Sequence, residues 1–100
     1  MKVIRWNKRE KPNLESLKKD LEKEGLDCYL FASNPGDFYP EHAHEHDEIR
    51  IVLSGSMKLG VNEKEVILNK GDRLELPKNT VHWAKPLGSK KCVMLSANRH

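Results

Sequence analysis

Apolar residues fall along this chain with two different periods. Leu14, Leu17 and Leu21 recur at the spacing that puts side chains on one face of a helix, while Lys18, Lys19, Glu22 and Lys23 take the other face. Pro12 prevents the preceding segment from continuing, Asn13 stands where it can cap, and Gly25 stands where a helix stops. One amphipathic helix of about three turns is predicted, covering the body of the protein rather than a membrane or a partner. From Leu26 onward no helical period returns. Short apolar runs alternate instead with turn residues: Tyr29-Leu30-Phe31 before Asn34-Pro35-Gly36, Ile49 to Leu53 before Ser54-Gly55, Met57 to Val61 before Asn62, Val66-Ile67-Leu68 before Asn69-Lys70-Gly71-Asp72, Arg73 to Leu76 before Pro77, and Lys91 to Ser96 near the end. Short strands at this spacing predict a β-sandwich or barrel.

Val3 to Trp6, ahead of the helix, is also β-prone and suits an edge strand or one exchanged with a partner subunit. Ser54-Gly55 and Lys70-Gly71-Asp72 lie where hairpins must reverse, and glycine supplies the positive φ such turns need. Pro77 ends its strand because proline cannot donate to a sheet ladder.

Composition narrows the class. At 100 residues the chain is one domain, and 37% hydrophobic with 33% charged residues describes a globular protein with a heavily charged surface rather than a disordered one. No apolar run approaches the ~20 residues of a spanning helix. Lys2 and Arg5 are not followed by the apolar stretch of a signal peptide, so a cytoplasmic location is expected. Cys28 and Cys92 are then read as small packed residues and not a bridge. The formal charge of +3 is slight, and Lys and Glu alternate through the basic stretches, which excludes nucleic acid as the expected partner.

Candidate chemistry is concentrated between Gly36 and Gly55. His42, His44 and His46 stand at alternate positions, and Glu48 and Arg50 continue the alternation. In an extended chain alternate side chains share a face, so His42 and His44 can reach one point and a nearby carboxylate can join them. Imidazole with carboxylate suits one divalent transition metal ion (Fe, Ni, Mn, Co or Zn) and rejects calcium, which prefers oxygen alone.

The spacing resembles the two motifs of the cupin superfamily. Gly36, His42, His44, Glu48 and Gly55 fill every fixed position of G-x5-H-x-H-x3-E-x6-G; Gly71, Pro77 and His82 follow G-x5-P-x-G-x2-H-x3-N. Asn79 replaces a glycine there and Pro86 an asparagine; asparagine also tolerates a left-handed backbone. The eight matches cover roughly half the chain. The resemblance implies an all-β fold, a double-stranded β-helix or jelly-roll barrel with one N-terminal helix, and metal ligation by His42, His44, Glu48 and His82. Residues 1–35 then form the N-terminal strand and helix, and 36–96 the barrel core holding both motifs. Within the superfamily, HAHEHDEIRIVLSG and GDRLELPKNTVH are most similar to acireductone dioxygenases, which bind iron or nickel through the equivalent four residues and hold substrate at open coordination positions. Val93-Met94-Leu95 stands where that family has an additional arginine.

Other residues receive quieter readings. Arg50, sharing the face of Glu48, is the candidate substrate-binding residue for an anion; the alternative is that it steadies Glu48. His46 is read as a rim residue or a group supporting the ligands rather than a ligand itself, Trp83 as wall or core, Phe38 and Tyr39 as core packing, Glu75, which shares alternation with Arg73, as part of a solvated strand face, and His100 as a disordered terminus. The expected function is a small metal-binding cupin, acting as a metal-dependent dioxygenase or isomerase on a small anionic organic molecule. The alternative is a binding module that holds a small sugar or acid without turnover. A homodimer is expected because a small barrel with a detachable strand leaves an unpaired edge.

Overall fold

The short apolar runs become two antiparallel sheets in the computed structural model, which describes residues 1–99; His100 lies outside the described residues. In chain order the elements are β1 Lys2–Ile4, α1 Leu14–Lys23, β2 Cys28–Ser33, β3 Tyr39–His42, β4 Asp47–Ser54, β5 Ser56–Val61, β6 Lys64–Leu68, β7 Arg73–Leu76, β8 His82–Leu87 and β9 Cys92–Arg99. One sheet has the order β1-β7-β4-β9-β2 and the other β3-β8-β5-β6. They face each other across a core that draws Val52 and Leu74 from the first sheet and Met57, Leu59 and Leu68 from the second. This is the predicted jelly-roll arrangement.

Strand alternation divides β4 between two environments. Val52 packs into the space between the sheets, whereas Ile49 and Ile51 face outward onto Leu21 of α1, together with Leu95 and Ala97 of β9. The helix forms where the leucine spacing predicts. Asn13 caps it, its side-chain oxygen accepting from the Ser16 amide at 3.0 Å, and the fully buried Leu21 anchors it. Arg73 ties the helix end to the sheet: its Nη1 and Nη2 each donate to the Glu24 carboxylate at 2.9 Å and its Nε donates to Glu75 at 2.9 Å. The hydrogen bond from Arg73 lowers the Glu24 pKa, against a smaller opposing effect of burial. The Arg73–Glu75 face is therefore partly covered by the helix, a correction to its reading as solvated, because the fork of Arg73 bridges two elements far apart in sequence.

Two strands are invisible to the apolar pattern. β3 reads YPEH and β8 reads HWAKPL, each with a proline and charge; they form because each supplies a partner to a neighbour, His42 lying opposite His82, and Pro86 lying opposite Met57 of β5. At the hairpin between β5 and β6, Asn62 and Glu63 both take positive φ (50° and 64°), the pair a tight reversal requires.

β1 pairs with β7 of the same chain, as an edge strand. What holds the segment after it is Asp72, which is nearly buried. Its carboxylate accepts from the Trp6 amide at 2.9 Å, the Asn69 amide at 2.8 Å and Arg5 Nη1 at 2.8 Å. Burial pushes this carboxyl upward, but the two amides and the Arg5 guanidinium outweigh it and hold its pKa below the usual 3.8. The Trp6 ring covers Gly71, at φ +85°, so closely that any Cβ there would overlap it. Asp72→Ala leaves two part-buried amides without their acceptor and is expected to cost roughly 1 to 3 kcal/mol in urea unfolding at neutral pH. Because the folded pKa is the lower one, this contribution is complete above pH 3.8 and is lost as pH falls below it. The gap between parent and variant should therefore close in acid; a gap that is constant with pH contradicts the assignment.

Candidate functional site

The β3–β4 connection, residues 43–46, runs past the turn that precedes β8, and the two are locked together. The Asn79 amide donates to the His44 carbonyl at 2.7 Å, and the Lys78 amide donates to the Asp47 carboxylate at 2.8 Å. Asn79 makes this approach with φ 64°, the left-handed conformation anticipated for an asparagine in a glycine position. His82 opens β8 beside His42, which closes β3.

The imidazoles consequently cluster. Ring centroids lie 4.4 Å apart for His42 and His82, 4.9 Å for His42 and His44, and 5.5 Å for His44 and His82. Nδ1 of His42 lies 2.6 Å from the Pro40 carbonyl, and Nδ1 of His82 lies 2.9 Å from that of Thr80. A carbonyl only accepts, so both rings carry their proton on Nδ1 and leave Nε2 with a free lone pair. Metal-binding histidines are oriented in this way by a bond from the other nitrogen.

His44 Nε2 lies 2.8 Å from one oxygen of Glu48, and Arg50 Nη2 lies 2.8 Å from the other. Burial, then the neighbouring His42, His82, Arg50 and His46, lower the His44 pKa to about 4. At neutral pH the His44–Glu48 contact is thus a hydrogen bond from a neutral ring, not an ion pair. Burial also lowers the His82 pKa, partly offset by the Thr80 carbonyl. Neutral rings are the form that binds metal.

Ligand atoms of His42, His44 and His82 all come within 4.8 Å of one another, and so do those of His44, His46 and Glu48. Three of the four residues singled out by spacing, His42, His44 and His82, therefore meet in one trio, and Glu48 stands in the other, joined to them through His44. The set combines imidazole nitrogens with a buried carboxylate and suits a divalent transition ion of the nitrogen- and oxygen-binding kind. His46, read as a rim residue or a supporting group, has a ring nitrogen within reach of His44 and Glu48 in the second trio.

Behind the histidines lies a cavity of about 350 Å³ between the sheets. Its polar end holds the cluster with Arg50, Tyr29 and Tyr39, and its far end is apolar, walled by Met57, Leu59, Leu68, Leu74 and Met94. Arg50 Nη1 donates to the Ile49 carbonyl at 3.1 Å and the Ala97 carbonyl at 3.5 Å. Burial pulls its pKa down, while Tyr29 beside it acts in the opposite sense. Ser96 lies opposite both Arg50 and Tyr29 in the sheet, and Asn98 opposite Glu48. Ser96 Oγ and Asn98 Oδ1 are buried and have no hydrogen-bond partner among the described residues. Alternation with Met94 places both on the cavity side of β9, a polar stripe beside the cluster.

Tyr29, Ser96 and Asn98 were not singled out from the sequence, and Tyr39 was read there as core packing. The two tyrosines become wall residues through alternation on strands whose inward face the apolar pattern alone does not identify. Phe38, expected in the core, is 59% exposed and packs against Trp83 on the outside, with ring centroids 6.2 Å apart. Tyr39 is half-buried at the cavity wall, within 2.8 Å of the Ser33 hydroxyl. Trp83, read as wall or core, instead covers Gly60 on the face of β8 opposite His82 and does not line the cavity.

Residues 29–98 match the family model described as Cupin domain. Over 50 residues the chain is 42% identical to acireductone dioxygenases of Alcanivorax borkumensis and of Homo sapiens, alignments covering 46% and 45% of this chain. The matched stretch spans only 28% of the length of each of those curated relatives. Among solved structures, a cupin-like protein from Thermotoga maritima is 29% identical with a TM-score of 0.66, covering 74% of this chain and 56% of its own. KdgF from a Halomonas species is 25% identical with a TM-score of 0.65, covering 75% and 69%. A cupin-2 domain protein from Shewanella frigidimarina, 18% identical with a TM-score of 0.63 over 75% and 71%, shares the fold. No helix among the described residues is long and apolar enough to cross a membrane.

The lowered histidine values have a measurable consequence. The unfolded chain takes up a proton on His44 near pH 6.5, whereas the folded protein does so only near pH 4. Between those values acid favours the unfolded state, so the stability of metal-free protein is full above pH 6.5 and falls toward pH 4. Thermal unfolding in chelator across this range should show a steeper decline for the parent than for His44→Gln; equal slopes contradict the assignment.

Proposed function

The chain belongs to the cupin domain family, and from that premise we propose that it binds one divalent transition metal ion through His42, His44, Glu48 and His82 and acts on a small anionic organic molecule. The observation that carries this reading is the pair of Nδ1 bonds to the Pro40 and Thr80 carbonyls, which leave two Nε2 lone pairs free beside His44 and a buried carboxylate at the polar end of a cavity. A divalent ion held by these four groups would supply Lewis acidity toward the oxygens of a small acid.

The residues around that position divide the remaining work. Arg50 commits Nη2 to Glu48 and Nη1 to two carbonyls, which supports the steadying role over direct capture of an anion. Ser96 and Asn98 offer unspent polar atoms to a ligand or to water. The apolar far wall excludes water from the cavity end. Similarity to acireductone dioxygenases over 50 residues supports a dioxygenase or isomerase; a module that holds its ligand without turnover is the second reading, and oxygen uptake on a panel of small enediols and 2-oxo acids separates the two.

A homodimer belongs to the same proposal. β2 pairs only with β9 among the described residues, so its outer edge is open, and Leu30 on it is 54% exposed. Light scattering at micromolar concentration should give twice the chain mass, and a monomer mass contradicts this.

Metal content is the central test. Protein purified without added metal should carry one ion per chain by elemental analysis, and His82→Ala should bind metal more than roughly 100-fold more weakly, beyond the loss expected for a mere supporting group. Parent-like affinity in a folded His82→Ala protein overturns the assignment. Arg50→Leu should weaken metal binding by about 10- to 100-fold if Arg50 steadies Glu48. Unchanged metal affinity with weaker binding of small acids would return Arg50 to the role of anion receptor.

A further inference from the structure

His46 is not needed by the four-residue set, yet its ligand atom lies within 4.8 Å of those of His44 and Glu48. Resting on the metal-binding reading above, we propose that His44, His46 and Glu48 form an outer coordination position through which a divalent transition ion enters, and that the ion passes inward to His42 and His82 by exchanging ligands about His44 and Glu48.

Three observations carry this. The two trios share His44, and Glu48 belongs both to the outer trio and to the proposed inner set. A neutral imidazole has one lone pair to give, so His44 serves one ion at a time and the two positions are alternatives, not a pair of filled sites. Position runs in the direction of entry: His42 and His82 line the cavity between the sheets, whereas His46, on the partly exposed 43–46 connection, does not. The surroundings attract cations, because Glu41 and Glu45 are exposed on the same short segment that carries the three histidines.

Stepwise exchange avoids the large cost of stripping an ion of all its ligands before it reaches a buried position. Each inward ligand replaces an outer one while His44 and Glu48 stay attached. In the present arrangement Glu48 is already turned toward His44 at 2.8 Å, on the side shared with His46.

Cobalt(II) tests this on the full chain, because its visible absorption reports the ligand set. Parent, His46→Ala, the double variant His42→Gln with His82→Gln, and the triple variant that adds His46→Ala are compared, with circular dichroism confirming their fold. His46→Ala should bind one ion with nearly parental affinity but load it roughly tenfold more slowly in stopped flow. The double variant should retain one weakly held ion, and the triple variant should lose about a further tenfold in affinity. Equal affinities of the double and triple variants overturn the outer position, and parental loading by His46→Ala overturns the entry route. If the double variant fails to fold, the loading rate of His46→Ala decides alone. Parental affinity in the double variant, or no binding by the parent protein, would instead overturn the four-residue assignment itself.

Discussion

A carboxylate that is 4% exposed between two β-sheets must be compensated or not be charged, and Glu48 sets that condition for the whole site. Its two oxygens are satisfied separately, one by His44 and one by Arg50, each at 2.8 Å. Arg50 in turn is fixed by the carbonyls of Ile49 and Ala97, one on its own strand and one on β9. His44 is fixed by the Asn79 amide, which ties the 43–46 connection to the turn leading into His82. Removing the carboxylate would therefore loosen three segments at once, since the neutral ring and the guanidinium are both positioned against it.

The frame that permits this is the two-residue period of β4. Glu48, Arg50 and Val52 face between the sheets, and Ile49 and Ile51 face the helix. A slip of one position would bury isoleucines against the histidines and turn the charges onto Leu21. The register is held from both sides, by β7 through Glu48–Leu76 and Arg50–Leu74, and by β9 through Glu48–Asn98 and Arg50–Ser96. The same register makes one end of the cavity polar and the other apolar. The site's chemistry and the core's packing are thus two readings of one strand alignment.

Much of this was legible in the chain. The helix follows from leucine spacing and its cap, most strands from apolar runs bounded by turn residues, and the left-handed Asn79 from its place in a glycine-like slot. β3 and β8 were not legible, because YPEH and HWAKPL carry no apolar alternation and their pairing is decided by neighbours. Phe38 was misplaced for a related reason: a large apolar residue beside a strand says nothing about which side of the sheet its neighbours have already filled. Glu75 was read as solvated because its neighbour Arg73 is tied to Glu24, 49 positions from Arg73, only through helix packing.

By itself the sequence determined what local periodicity can determine: which side chains share a face, where the chain reverses, and that imidazole and carboxylate stand together in the middle of the chain. Only tertiary structure decided how those groups are combined. His42 and His82 are 40 positions apart, and their rings meet because β3 and β8 pair in one register. Glu48 turns toward His44 and Arg50 because a buried charge must be neutralised by whatever the fold brings within reach, and His46 is drawn into the same group by the course of the 43–46 connection. Short-range order is written in adjacent residues; the distances that make a coordination site are set by sheet register and by the cost of leaving charge unpaired inside it.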